Sequence, residues 1–259
     1  MRSLFRKHLQ DTPQLIDAQA HSRAVPSSGL TRWLRQGVEH GMCPMCRVAH
    51  KADREFIWQF SEEGFGDEHE AAKLADAHGF CSEHAQMLVR IDLEVQSMLG
   101  VSTIYVDLCE RLGRRLDELD VSAALECARC PACVSRDRAL AQNAGYLLQL
   151  LSVGGAGAVS ARFPDSPGLC LPHFALVWSS PGGSIAAREL LLDVERRSVA
   201  TIRADLDELI RKEGVEARHE PKGAEQDAWQ RAVWLTSGWP APTQSAGTPE
   251  PDAFLHPDG

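Results

Sequence analysis

The 259-residue sequence predicts an all-α fold made of two pseudo-repeated helical units with flexible termini. Apolar residues recur at three- and four-residue intervals along most of the chain, and no stretch alternates as a strand would. Leu and Ala are abundant, whereas aromatic residues make up only 6%. One pattern also occurs twice. Cys43-Pro44-Met45-Cys46 is followed by Gly79-Phe80-Cys81-Ser82-Glu83-His84, and Cys130-Pro131-Ala132-Cys133 is followed by Gly168-Leu169-Cys170-Leu171-Pro172-His173. The second and third cysteines of each copy are separated by 34 and 36 residues, respectively.

Residues 1–29 are polar, with Pro13, Pro26 and a Ser27-Ser28-Gly29 run, and predict a loosely ordered N-terminal arm. The first unit spans 30–120. Leu30, Trp33, Leu34 and Val38 form a helical stripe that ends at Gly41. After the first Cys-Pro-x-Cys, Val48, Ala52, Phe56, Ile57 and Phe60 share a helical face, ended by Gly64 and Gly66. A short helix from about Asp67 to Ala77 stops at Gly79. Ser82 is a candidate N-cap for a helix carrying Ala85, Leu88, Val89, Leu93 and Leu99. Gly100 and Ser102 mark a break or kink before a helix with Ile104, Leu108, Leu112, Leu116 and Leu119 on one face.

The second unit, 121–220, repeats this order. A helix runs from Cys-Pro-x-Cys through Ala139, Ala144, Leu147, Leu148 and Leu151 to a Gly154-Gly155-Ala156-Gly157 loop. That loop lacks the Lys-Ser/Thr of a phosphate-binding loop and the strand before it. After the second Cys-x-x-His, Ser179 to Gly183 reads as a turn. Ser184 reads as the cap of a long helix with Leu191, Val199, Ile202, Leu206 and Leu209, ending near Gly214. Residues 221–239 predict a C-terminal helix with Trp229, Ala232, Val233 and Leu235, and the proline-rich 240–259 a disordered tail.

The duplicated motif has the chemistry of a metal site. Cys-x-x-Cys directs two thiolates at one ion from a tight knuckle, and its proline favours the start of the next helix. Cys-x-x-His opens a helix with i and i+3 on one side, and a helix N-terminus stabilises a thiolate. Each copy thus supplies a Cys3His set: Cys43, Cys46, Cys81 and His84, then Cys130, Cys133, Cys170 and His173. Four such ligands fill a tetrahedral Zn²⁺ site and leave no position for water, the arrangement of a structural site that staples helices together. Pairing within each half is the default, and a swapped pairing across the pseudo-two-fold is the alternative.

Cys127 extends the second knuckle to Cys127-x-x-Cys130-x-x-Cys133, a run also seen around iron–sulfur clusters. Here it reads as a spare or alternative ligand, since His40 takes its place in the first half. Cys109, beside Leu108 and Leu112, reads as a core residue. His50, His69 and His78 read as solvent-facing.

The net charge of −9 argues against a nucleic-acid or anionic-membrane surface. No apolar stretch approaches membrane-spanning length, and the basic start lacks a signal-peptide core. Cysteines beside histidines, without a signal peptide, read as metal ligands in a cytoplasmic protein.

The chain resembles a family of bacterial helical proteins of unknown function that carry Cys-Pro-x-Cys followed by Gly-x-Cys-x-x-His, twice. The resemblance spans Gly41 to Trp239. It rests on the eight motif residues, on Ile104-Tyr105-Val106-Asp107-Leu108 and on Glu225-Gln226-Asp227-Ala228-Trp229-Gln230-Arg231-Ala232. It implies the duplicated metal site and no particular activity.

No catalytic constellation is readable, and Glu83, the one carboxylate inside the motif, faces Pro172 in the other copy. The leading expectation is a non-catalytic zinc protein that serves as scaffold, adaptor or assembly factor. Its surface for a protein partner would lie near Trp229 and Trp234 or near Trp33, although core packing is the favoured reading of these tryptophans. The alternatives are a thiol-based redox or metal-responsive switch, an iron–sulfur electron-transfer protein, and an enzyme with an exchangeable zinc ligand.

Overall fold

A computed structural model describes residues 41–63, 67–95, 98–117, 126–153 and 159–239. The expected N-terminal arm, the Leu30–Val38 stripe with Trp33, the Gly154–Gly157 loop and the proline-rich tail lie outside them. Within the described residues the chain is helical and contains no strand.

The first half contributes α1 (Pro44–Glu63), α2 (Glu68–Asp76), α3 (Ser82–Val95) and α4 (Met98–Leu116). The second contributes α5 (Pro131–Ser152), a short α6 (Val159–Arg162) running into a 3-10 turn (Phe163–Asp165), α7 (Leu171–Ser179) and α8 (Ile185–Glu213). A 3-10 turn, Ala224–Asp227, leads into α9 (Ala228–Ser237).

Both Cys-Pro-x-Cys knuckles start helices at their prolines, as the missing N–H of proline allows at a first turn. Asp67 caps α2 through bonds from the N–H groups of His69 and Glu70, and Ser184 caps α8 by accepting from Ala187 N–H. Ser82 is not a cap. It is the first residue of α3, and Cys81 holds the preceding place, so the cysteine occupies the helix N-terminus. The expected break at Gly100 and Ser102 is also not at those residues: both lie inside α4, which begins at Met98. Cys109 is exposed, which corrects its reading as core. Ile104 and Leu108 turn inward, and one further residue rotates Cys109 away from them.

α1 and α5, the two helices that follow the knuckles, pack against each other at the centre. The composition of the core shows that they run antiparallel. The start of α1 (Met45, Val48, Ala49) shares one apolar cluster with the later turns of α5 (Leu140, Ala144, Leu147, Leu148, Leu151), with Leu169 and Val177, and with Leu191 and Val194 of α8. The end of α1 (Ile57, Phe60) shares the other cluster with Ala132 at the start of α5, and with Leu74, Leu88, Ile91 and Ile104. α3 also lies against α1, where Ser61 Oγ–H donates to the buried Asp92 carboxylate at 2.5 Å. α7 lies against α5 and α9.

Candidate metal centres

The eight motif residues converge in two groups, and each group draws on both halves of the chain. The first contains Cys43 and Cys46 from the start of α1 with Cys170 and His173 from the start of α7. The second contains Cys81 and His84 from the start of α3 with Cys130 and Cys133 from the start of α5. The default pairing within each half is therefore corrected to the swapped one.

Helix geometry gives the reason. α3 meets α1 at its middle, where Asp53 lies against His84. Cys43, just before this helix, and Cys46, in its first turn, stand ten and seven residues earlier, about 15 and 10 Å away along its axis. They lie instead at the end where the antiparallel α5 delivers its late turns and α7 begins. In the same way, the segment before α5 runs past the end of α2, where Ala128 N–H donates to Asp76 O at 2.8 Å, and sets Cys130 beside the first half.

In the first group Cys46 Sγ is 3.6 Å from Cys170 Sγ, and His173 Nδ1 is 3.1 Å from Cys170 Sγ, 3.3 Å from Cys46 Sγ and 3.6 Å from Cys43 Sγ. In the second, Cys81 and Cys133 Sγ are 3.7 Å apart, and His84 Nδ1 is 3.1, 3.4 and 3.6 Å from the Sγ atoms of Cys81, Cys133 and Cys130. A tetrahedron around zinc has S–S edges of about 3.8 Å and S–N edges of about 3.6 Å, from its usual bond lengths. The S–S distances of 3.6 and 3.7 Å lie near that edge, the S–N distances of 3.1 to 3.6 Å lie at or below theirs, and all eight cysteines are free thiols, so no disulfide competes. Both histidines present Nδ1 to the sulfurs.

Without a cation, Cys43, Cys46 and Cys133 hold their protons. Burial pushes the Cys43 thiol well up, and the neighbouring Cys170 and Cys46 add to the effect. Cys46 is pushed up to about 12, chiefly by Cys170. Cys133 is also pushed up to about 12, by burial and by Cys81. Cys170 and Cys81 are drawn down. Cys170 is lowered because the thiols of Cys43 and Cys46 bond to it. Burial would raise Cys81, but bonds from His84 outweigh it and bring the thiol down to about 7. Three thiolates cannot share so small a space without positive charge, and a divalent ion that binds all three supplies it.

The surroundings of the two groups differ. Around the first, Cys43, Cys46 and Cys170 are buried, and the residues after α9 close over them. Trp239 N–H donates to Cys46 Sγ at 3.3 Å, and Trp239 O faces His50 Nε2 at 2.9 Å. His50 is thus a partly buried tether, which corrects its reading as solvent-facing. Gly238, at φ 103°, passes so close that a Cβ there would meet Cys46 Sγ at 3.5 Å. The ring of Trp234 lies 6.1 Å from that of Trp239. At the second group Cys81 and Cys133 are partly exposed, and His84 is fully buried with Nε2 2.9 Å from Asp53 Oδ1. The two atoms stand at ion-pair distance, and neither has an aligned hydrogen-bond partner. Burial would lower His84, but the Asp53 and Cys81 contacts overcome it and raise it to about 9. Arg136 approaches Asp53 Oδ2 and Glu83 Oε2, both at 3.4 Å.

Residues 37–242 match the family of unknown function DUF6062. The chain belongs to this family. The match contains both knuckles, both Cys-x-x-His turns and Trp239. No curated protein and no solved structure matches the chain. No described helix is long and apolar enough to cross a membrane.

Cys127 is exposed and belongs to neither group, so the three-cysteine run does not converge on one point. His69 is exposed, whereas His78, in the left-handed region at φ 55°, is partly buried and bonded to Arg115. Sequence reasoning missed Asp53, Arg136, Trp239 and Glu195. Glu195 is buried on α8 and accepts Leu169 N–H at 2.5 Å, bracing the turn before Cys170. Tyr105 is bonded to the Phe80 backbone at the equivalent turn of the first half. Gly168, at φ 79°, fits over Glu195 because a Cβ there would come within 2.7 Å of Oε1.

Burial pushes the Glu195 carboxyl up to about 7, against the Leu169 bond that lowers it. The folded state therefore holds this proton more tightly than the unfolded chain does. Below the ordinary value of about 4.5 both states are protonated and the group is neutral to stability. As pH rises from there to about 7, the unfolded chain ionises first and folding loses stability. The Glu195→Gln variant should abolish this loss, gaining about 1–3 kcal/mol over wild type at pH 8 and little at pH 4 in urea unfolding.

Proposed function

We propose that this protein is a non-catalytic, zinc-stapled helical scaffold or assembly factor that works by presenting its helical surface to a protein partner. The observation that carries this reading is the pair of Cys3His groups with tetrahedral spacing, each joining the starts of two helices from different halves of the chain. Four protein ligands on one ion leave no coordination position for substrate or water, which favours a structural role over a catalytic one. The close S–S and S–N distances favour a single ion, because the ligands of a multinuclear cluster sit on different irons. Trp229 and Val233 on α9 are more than half exposed, and so is Ile210 near the end of α8, which supports a protein-facing role for that end of the molecule.

The test is anaerobic purification followed by elemental analysis and a visible spectrum. About two zinc per chain and a colourless solution are expected from two four-ligand sites. A brown protein containing iron and sulfide would overturn the zinc assignment, and a metal-free, fully folded chain would overturn the reading itself. A thiol switch is the second reading, favoured by the partial exposure of Cys81 and Cys133 with their sulfurs 3.7 Å apart. Release of one zinc on mild peroxide treatment would support the switch, and retention of both would remove it.

A further inference from the structure

The two groups are alike in their ligands and unlike in what stands behind them. Counted from the knuckle of each half, Asp53 on α1 occupies the place of Leu140 on α5, and Arg136 on α5 the place of Ala49 on α1. Counted from the Cys-x-x-His turn, Glu83 occupies the place of Pro172. All three departures from the internal repeat converge on the second group, where Arg136 bridges Asp53 and Glu83. At the first group the equivalent places are apolar, and no carboxylate among the described residues makes an ion pair with His173.

A carboxylate that is 1% exposed, as Asp53 is, would be costly to bury without a cationic or N–H partner. His84 supplies such a partner. Its Nδ1 faces three sulfurs, so that atom must carry the lone pair if an ion is bound. The ring proton then belongs on Nε2, where Asp53 Oδ1 stands 2.9 Å away. A carboxylate at that atom fixes the tautomer, fixes the ring plane and makes the imidazole a stronger donor. Each group also receives an N–H on a sulfur, from the Trp239 backbone on Cys46 at 3.3 Å and from the Arg136 guanidinium on Cys133 at 3.9 Å, so the carboxylate behind the histidine is what sets the second apart.

We propose that Asp53 is the positioning residue of the second metal site alone, holding His84 by Nε2–H with Nδ1 aimed at the ion, so that the two sites hold their metals by different means. This rests on the metal-site reading above. Loss of such a carboxylate typically weakens metal binding about 10–100-fold.

The test uses the full chain loaded with zinc and titrated with a chromogenic chelator, wild type against Asp53→Asn. The variant is expected to give up one of its two ions at about 10–100-fold weaker affinity and to hold the other as wild type does. If both ions are held as in wild type, Asp53 does not position the site and the proposal falls while the metal reading stands. If wild type holds no zinc, both fall together. A measurement on wild type alone covers the case in which the variant fails to fold. In a long-range proton–nitrogen NMR correlation, His84 is expected to carry a slowly exchanging proton on Nε2, unlike His173. An unprotonated Nε2 on His84, or identical exchange at the two histidines, overturns the proposal. A role confined to core packing would leave both the selectivity between ions and this ring proton unchanged.

Discussion

Removing the metals with a strong chelator is expected to cost the protein most of its stability. The first site links positions 124 residues apart and the second positions 52 apart, as the Cys46–Cys170 and Cys81–Cys133 pairs show. By analogy with a covalent crosslink, closing loops of this length is worth about 4 to 5 kcal/mol each. The whole stability of a typical domain is about 5–15 kcal/mol. Stripping the ions also leaves three thiols and an imidazole packed together with no shared cation, and the raised Cys43, Cys46 and Cys133 thiols express that conflict. Circular dichroism during heating should show a midpoint lowered by about 10–20 °C or more, or a broad non-cooperative transition. Restoring zinc should restore the original transition. A metal-stripped chain that melts as the loaded one does would show that the two groups are ordinary buried cysteines.

All eight candidate ligands are readable in the sequence because their spacing is local. Cys-x-x-Cys and Cys-x-x-His each need only one turn of chain, and the prolines at 44, 131 and 172 mark the helix starts on which they sit. The helical periods likewise fix α1, α5 and α8 closely, and Ser184 caps α8 as its position suggests. Which knuckle meets which histidine is a different kind of information. Spacers of 34 and 36 residues are compatible with either pairing. The choice is made by the antiparallel packing of α1 on α5, a tertiary contact that leaves no local signature.

Asp53 shows the same limit at a single residue. It stands between Lys51 and Arg54 in a stretch that resembles any charged helix surface, yet it is buried. The available clue was the internal comparison: a polar residue where the other half has Leu140. Trp239 was concealed differently. It is the last residue before the proline-rich tail, and composition assigns it to a boundary, whereas its N–H donates to Cys46 Sγ in the first Cys/His group. Cys109 misled in the opposite direction, because apolar neighbours in sequence are not neighbours on a helix face.

The swapped pairing is tested most directly by the metal content of two double variants. In one, Cys46→Ser is combined with Cys170→Ser. In the other, Cys46→Ser is combined with Cys81→Ser. Cys46 and Cys170 share a site, so the first variant should keep about one zinc per chain, held by Cys81, His84, Cys130 and Cys133. Cys46 and Cys81 belong to different sites, so the second variant should lose both ions. The opposite result, no zinc in the first variant and one in the second, would mean that each half binds its own metal, and it would contradict the swapped architecture.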